Sequence, residues 1–242
     1  MQQGKSAETP PRGQAPKRKR VTKAQQREAT IAQILDAGEY LFSRRGFFGV
    51  TLKDIAEEVG VHTSLIHYYF DDKEALFEQV VARRAPLVNE KRVAAMDRYE
   101  REAGGDITVA GALHAFLDTN LELYDSGEEW RNYGALAGLI NNSSEWGARL
   151  MDDNFDSAVL RLVELLRKAL PDCSEADLFW GYHFVSGALT LTLARTGRID
   201  KLSGGACDSN DFAAVRQRMA EFMAAGFTTV CGRSKGPGGA TG

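Results

Sequence analysis

Residues 51–73, TLKDIAEEVGVHTSLIHYYFDDK, constrain what this chain can fold into more than any other stretch. Leu52, Ile55, Ala56 and Val59 recur at i, i+3, i+4 and i+7, which predicts a helix with one apolar face. Thr51 stands where a hydroxyl would cap that helix. Gly60 follows its last apolar residue, where a left-handed backbone ends a helix at little cost. After Val61, a second short helix shows two faces. Leu65, Ile66, Tyr69 and Phe70 make an inward set, and Thr63, Ser64, His67 and Tyr68 an outward one. Two short helices about a glycine turn, the second presenting small polar and aromatic groups, suit the major groove of DNA. By periodicity alone they equally suit a helical hairpin inside a bundle. The outward set contains no Lys or Arg.

Further elements at fixed spacing surround this segment. LFSRRGFFGVT closes a long preceding helix, followed by Ile55-Ala56, Val59-Gly60-Val61, His67-Tyr68-Tyr69-Phe70 and Lys73-Glu74-Ala75-Leu76-Phe77. In these elements the region from about Gln25 to Ala82 resembles the DNA-binding domain of the TetR family of transcriptional regulators. The resemblance implies an all-α fold, with an N-terminal three-helix helix-turn-helix domain and a C-terminal helical ligand-binding and dimerisation domain. It also implies that Thr51, Tyr69 and Lys73 touch the DNA backbone, although Tyr69 alone equally fits a core position. Thr63, Ser64, His67 and Tyr68 would carry base or phosphate contacts. The chain departs from the family where the recognition helix opens. His62 and Thr63 stand where Ser or Asn and then Lys or Arg are common. No cation lies between Lys53 and Lys73, and Asp71 and Asp72 are close by. Phosphate contacts are therefore expected from Arg44, Arg45, Lys53, Lys73 and an N-terminal arm.

Charge is divided along the chain. Net charge is −3, yet Met1 to Arg84 holds 14 Lys/Arg against 11 Asp/Glu, and Ala85 onward 16 against 22. The first 28 residues hold 8 basic and 2 acidic side chains. Residues 1–20 lack periodicity and end in Lys17-Arg18-Lys19-Arg20, read as a disordered basic arm able to reach phosphates or the minor groove. The acidic remainder has some other task than holding phosphate. No apolar run suits a membrane span, and the polar N-terminus is unlike a signal peptide. Cys173, Cys207 and Cys231 lack metal-ligand spacing and are odd in number, so reduced thiols in the cytoplasm are expected.

Along the chain, Thr22 and Gln25 match a capping box opening a helix to about Arg45, with Phe47 and Phe48 packed beneath the helix-turn-helix. Asp71 and Asp72 are expected to cap a fourth helix, ending or kinking at Pro86, with a polar helix from there to about Glu102. Gly104-Gly105 breaks the pattern, and Asp106 is expected to cap the next helix, to about Tyr124. Further helices are expected over about Glu128–Ile140, Glu145–Leu170, Ser174–Gly197 and Asp211–Val230. That makes nine or ten, with no strand pattern. The expected division is an arm at 1–20, a DNA-binding domain at 21–84, a ligand-binding and dimerisation domain at 85–231, and a Gly-rich flexible tail at 232–242.

In the second half, Phe116, Asn120, Tyr124, Trp130, Tyr133, Phe155, Trp180, His183 and Phe184 are candidates to line an apolar pocket with a few polar groups. Each taken singly also fits ordinary core. Leu166 to Ala194, with Leu178-Phe179-Trp180 and His183-Phe184 after a Leu-Pro plus acidic turn, is similar to PsrA-like fatty-acid-sensing regulators. That likeness implies a small hydrophobic effector, such as a fatty acid, acyl-CoA or other lipid. Ser186, Gly187 and Ala188 would let a partner helix approach closely. The family's mode of dimerisation would then fall on Asp152–Leu170 and Ser174–Ala194. Three readings follow: a homodimeric, ligand-responsive repressor on palindromic double-stranded DNA; a ligand-binding or adaptor protein with a degenerate head acting through a protein partner; or an enzyme. The last lacks a Walker loop, GxSxG, HExxH or a metal-spaced set, and His62, His67, His114 and His183 are scattered. No cofactor is implied.

Overall fold

A computed structural model describes residues 22–143 and 145–233. Among the described residues all regular structure is helical, in ten helices. They are α1 (Lys23–Arg45), α2 (Leu52–Val59), α3 (Thr63–Tyr69), α4 (Lys73–Ala103), α5 (Val109–Asp125), α6 (Glu128–Asn141), α7 (Glu145–Ala169), α8 (Glu175–Leu193), α9 (Arg198–Leu202) and α10 (Phe212–Arg233). The basic arm, with Lys17, Arg18, Lys19 and Arg20, and nearly all of the Gly-rich tail lie outside the described residues.

Local chemistry sets most boundaries. Thr22 and Gln25 form the capping box of α1, and Thr51 and Asp54 that of α2. Gly60 ends α2 at φ 76°, ψ 34°, a left-handed geometry that would strain a side-chain-bearing residue. Asp72 caps α4 by accepting from the Ala75 amide at 2.8 Å. Ser174 caps α8 in the same way, from Asp177 at 3.1 Å.

Two apolar clusters divide the molecule. Ile34, Phe42, Ile55, Ile66, Phe70, Phe77 and Val80 centre the first, which binds α1–α3 to the start of α4. It also takes in Leu136 and Ile140 of α6, so the head rests directly on the body. Each such buried side chain contributes roughly 1.5–3 kcal/mol over its exposed state. The second cluster begins at Ala85 and runs through α5, α7, α8 and α10. Buried Glu39 of α1 accepts from Arg83 at 3.0 Å and Arg84 at 2.8 Å, joining α1 to α4. The Arg84 guanidinium also lies 4.6 Å over the Trp130 ring of α6.

Four expectations are corrected. Pro86 does not end its helix: α4 is one element of 31 residues. The ring removes one backbone bond and crowds the carbonyl a turn earlier. However, Pro86 faces solvent while Val81, Ala85 and Val88 are buried, and that packing carries the helix past the ring. Thr108, not Asp106, caps α5, accepting from the Gly111 amide at 3.1 Å. Tyr99 fills the space beside Gly111, where an added Cβ would meet its hydroxyl at 2.2 Å. Phe47 packs against Phe42 and Phe77, but Phe48 is 92% exposed. Finally, Cys173 and Cys231 are joined in a disulfide, while Cys207 is free and exposed. Fifty-eight positions apart in sequence, they meet because the α7–α8 turn lies beside the end of α10. Pairings of that range leave no trace in spacing.

Candidate functional site

Helix α3 is held from behind. Ile66 is fully buried, Leu65 and Tyr69 are half-buried, and Phe70 closes the helix in the head core. That fixes the opposite face, where Ser64, His67 and Tyr68 stand exposed in one row with half-buried Thr63 at its start. Tyr68 is 75% exposed, with Tyr69 edge-on to it at a ring separation of 5.2 Å. Tyr69 has the Arg27 guanidinium 5.7 Å from its ring centre, so α1 brings a cation to the same surface. This is a short convex ridge with hydroxyl, imidazole and phenol groups, of a width that enters a major groove.

The cations around this ridge are less free than the sequence suggests. The Lys73 ammonium donates to the carbonyls of Phe47 at 3.0 Å and Val50 at 3.1 Å, and lies 4.2 Å from the Phe47 ring centre. It ties the α1–α2 loop to α4. Arg44 turns away, toward Glu128 of α6 at 3.1 Å and over the Tyr40 ring. Lys53 is exposed beside Glu57 at 3.6 Å. Thr51 is exposed too, but its hydroxyl donates to Asp54 at 2.6 Å. Those bonds from Thr51 hold the Asp54 carboxyl below its ordinary pKa.

The body contains a narrow cavity of about 40 Å³, walled by α4, α5, α6, α7 and α8. Of the residues singled out from sequence, Phe116, Tyr124 and Phe155 line it. Asn120 lies one turn from both Phe116 and Tyr124 on the same face of α5, fully buried, and neither amide atom has a hydrogen-bond partner. Tyr133 is buried nearby and donates to the Val81 carbonyl at 3.3 Å. Trp130 is half-buried against Arg84 instead. Trp180, His183 and Phe184 are exposed along the outer side of α8, with Phe184 stacked on Trp180 and His183 edge-on to it, and do not reach the cavity. Aromatic content marked them, but their rotation about the helix axis was set by how α8 packs on α6 and α10.

Arg92 is the residue the sequence reading missed. It lines the cavity, is 6% exposed, and its guanidinium lies 4.4 Å over the Phe116 ring. Burial lowers its pKa, opposed by Tyr124, Tyr182 and Tyr133, and no carboxylate among the described residues stands with them. The signal was there: Arg92 interrupts the otherwise apolar stripe Val88, Ala95, Met96 on α4.

A second, larger hollow of about 500 Å³ opens to solvent between α8, α9 and α10, by Ile199, Cys207, Asp211, Arg218 and Phe222. Beside it, Trp180, Phe184, Leu191, Phe222 and Val230 expose apolar surface on α8 and α10. Gly187 and Gly226 on these helices meet nothing within 4 Å where a Cβ would project. Gly181, by contrast, is where α10 crosses closely, with Phe227 at 2.2 Å from an added Cβ.

Residues 34–80 match the family model of bacterial regulatory proteins, tetR family, and residues 114–226 that of the tetracyclin repressor-like C-terminal domain. Over 49 residues the chain is 41% identical to IcaR of Staphylococcus aureus, the HTH-type negative transcriptional regulator of the biofilm operon icaADBC. That match covers 20% of this chain and 26% of IcaR, so the chain spans about a quarter of the length of that relative. The hemolysin II transcriptional regulator HlyIIR has the same fold, with a TM-score of 0.58 at 20% identity over 81% of this chain and 97% of that one. FadR from Bacillus subtilis, in complex with stearoyl-CoA, gives a TM-score of 0.50 at 16% identity over 81% and 98%.

Proposed function

Because the chain belongs to the TetR family of transcriptional regulators, we propose that it acts as a homodimeric repressor on palindromic operator DNA in the cytoplasm, released by a small hydrophobic effector bound in the body. The observation that carries the reading is the α3 ridge. Ser64, His67 and Tyr68 are turned outward together by a buried Ile66 and Phe70. Packing alone does not need three exposed polar and aromatic groups in one row. Thr63, Thr51, Lys53 and Tyr69 flank that row, and the arm from Lys17 to Arg20 supplies the charge that α3 lacks.

The dimer surface we assign is α8 with α10, in place of the α7 and α8 pair expected from sequence. Helix α7 is committed to α4 and α5 along its length, with Ala158, Leu162, Leu165 and Leu166 fully buried. Apolar surface left open on α8 and α10, with glycines to permit close approach, suits an isologous pairing. Two recognition helices about 34–36 Å apart would then read one turn of DNA. Helix α4 is the path for release, since it holds the head core through Phe77 and the cavity through Arg92.

The adaptor reading is favoured by one observation: Arg44 and Lys73, two of the cations expected on phosphate, are engaged within the protein. Selection of bound fragments from random DNA, followed by fluorescence anisotropy across a salt series, separates the two. A repressor selects a near-palindrome and binds it with a linear fall in log K against log salt. Failure to enrich any sequence, with binding no tighter than to random DNA, overturns the repressor in favour of the adaptor.

A further inference from the structure

We propose that the cavity beneath α4 is a site for a small monocarboxylate, whose carboxylate is gripped by the Arg92 guanidinium and whose apolar body lies among Phe116, Phe155 and Leu189. The inference deepens the regulatory reading above and rests on it for its biological role, but not for its chemistry.

A buried guanidinium does not escape its charge by losing a proton, because the group ordinarily holds its proton far above neutral pH. Left without a counter-ion, such a charge carries a heavy desolvation penalty. Among the described residues Arg92 has no acidic partner and makes no hydrogen bond; its Nε is buried and unpaired. The face of Phe116 compensates only in part, since a ring quadrupole attracts a cation more weakly than a counter-ion does. Asn120, with both amide atoms unpaired, is a second unspent polar group, buried behind the wall one turn from Phe116 and Tyr124. A core that merely needed filling would carry Leu or Met at 92. Two unsatisfied polar side chains beside an apolar hollow are what a site looks like before its polar ligand arrives.

Charge and size narrow the ligand. One fixed cation balances one negative charge, so a monocarboxylate leaves the interior neutral, whereas a phosphate dianion would leave an excess charge in a dry site. The planar fork of Arg suits the two carboxylate oxygens. The cavity of about 40 Å³ is space open to the centres of water molecules, and at about 10–15 Å³ per water on that measure it has room for roughly three. That is the bulk of one aromatic ring or a short aliphatic chain. It does not admit a long acyl chain or a coenzyme A thioester in this arrangement of α7 and α8.

The test uses the full-length protein and isothermal titration with sodium benzoate, sodium hexanoate, benzamide and inorganic phosphate, without DNA. At least one of the two carboxylates is expected to bind saturably, benzamide at least tenfold more weakly than benzoate, and phosphate not at all. Arg92→Met is expected to lose carboxylate affinity at least tenfold, while its ligand-free Tm stays equal to or above that of the wild type. A structural role for Arg92 would lower that Tm instead. The proposal is overturned if neither carboxylate binds, if benzamide or phosphate binds as well as benzoate, or if Arg92→Met binds benzoate unchanged. The benzoate and benzamide comparison stands on the wild type even if the variant fails to fold. Operator binding, scored separately on ligand-free protein, can fail without touching this result, and then only the regulatory reading falls.

Discussion

At the scale of single residues, exposure and engagement separate groups that look alike in sequence. His67 and Tyr68 project from α3 with little packed against them. His67→Ala and Tyr68→Ala are each expected to weaken operator binding by about 1–3 kcal/mol with helicity unchanged. Anisotropy and circular dichroism on the same samples check this, and unchanged affinity in both variants would place the reading surface elsewhere. Lys73 is a different case. Its ammonium already serves two carbonyls, and bonds to a charged group are worth roughly 1.5–3 kcal/mol each. Lys73→Met is therefore expected to lower stability by about 1–3 kcal/mol and to leave the salt dependence of DNA binding alone. A fall of about 0.9 in the log–log salt slope, with stability intact, would instead show Lys73 on a phosphate.

At the scale of elements, α4 is the member on which the rest depends. Its interior proline costs up to about 3 kcal/mol relative to a good helix former, and part of that is returned by a stiffer unfolded chain. Pro86 faces solvent, so Pro86→Ala is expected to raise stability by about 1–3 kcal/mol in urea denaturation without changing operator affinity. A loss of stability would mean that the ring is packed rather than tolerated. Further along, Asp97 and Glu100 of α4 meet Arg161 and Lys168 of α7. Hydrogen bonds from Lys168 and Arg161 hold the Glu100 carboxyl down to about 2, against an ordinary 4.5. Its folded pKa is the lower one, so the network's contribution is present above about pH 4.5 and disappears as the pH falls toward 2. Lys168→Ala should flatten the dependence of Tm on pH in that window. An equal slope in variant and wild type would show that Glu100 has no part in it.

At the scale of the whole molecule, the Cys173–Cys231 bridge closes a long loop around α8, α9 and α10. In the chain-entropy account, a loop of this length is worth about 4 kcal/mol, and measured values run roughly 2–4. Reduction, or the pair Cys173→Ser with Cys231→Ser, is expected to lower unfolding free energy by about 2–4 kcal/mol. The loss should fall on the body, where α8 and α10 pack, and leave the head's contacts in place. Denaturation followed by Trp fluorescence, with and without dithiothreitol, checks it. Coincident curves would show that the bridge adds nothing to the folded state.

What the sequence by itself determined is what short-range chemistry determines. Thr22 with Gln25, Thr51 with Asp54, Asp72, Ser174 and Gly60 act on their own next turn, and their helices begin or end where those residues predict. The same reach made the outward row of α3 legible, because a seven-residue helix has only one face to bury once Ile66 and Phe70 are placed. Tertiary structure decided the rest, because it rests on which faces meet across tens of residues. Packing on both sides kept α4 whole through Pro86, and the crossing of α8 with α10 turned Trp180, His183 and Phe184 outward. The meeting of the α7–α8 turn with the end of α10 joined two cysteines 58 positions apart. Arg92 is the sharpest instance. In sequence it only interrupts the apolar stripe of Val88, Ala95 and Met96, and the closing of α5, α7 and α8 around it is what makes its charge a buried one.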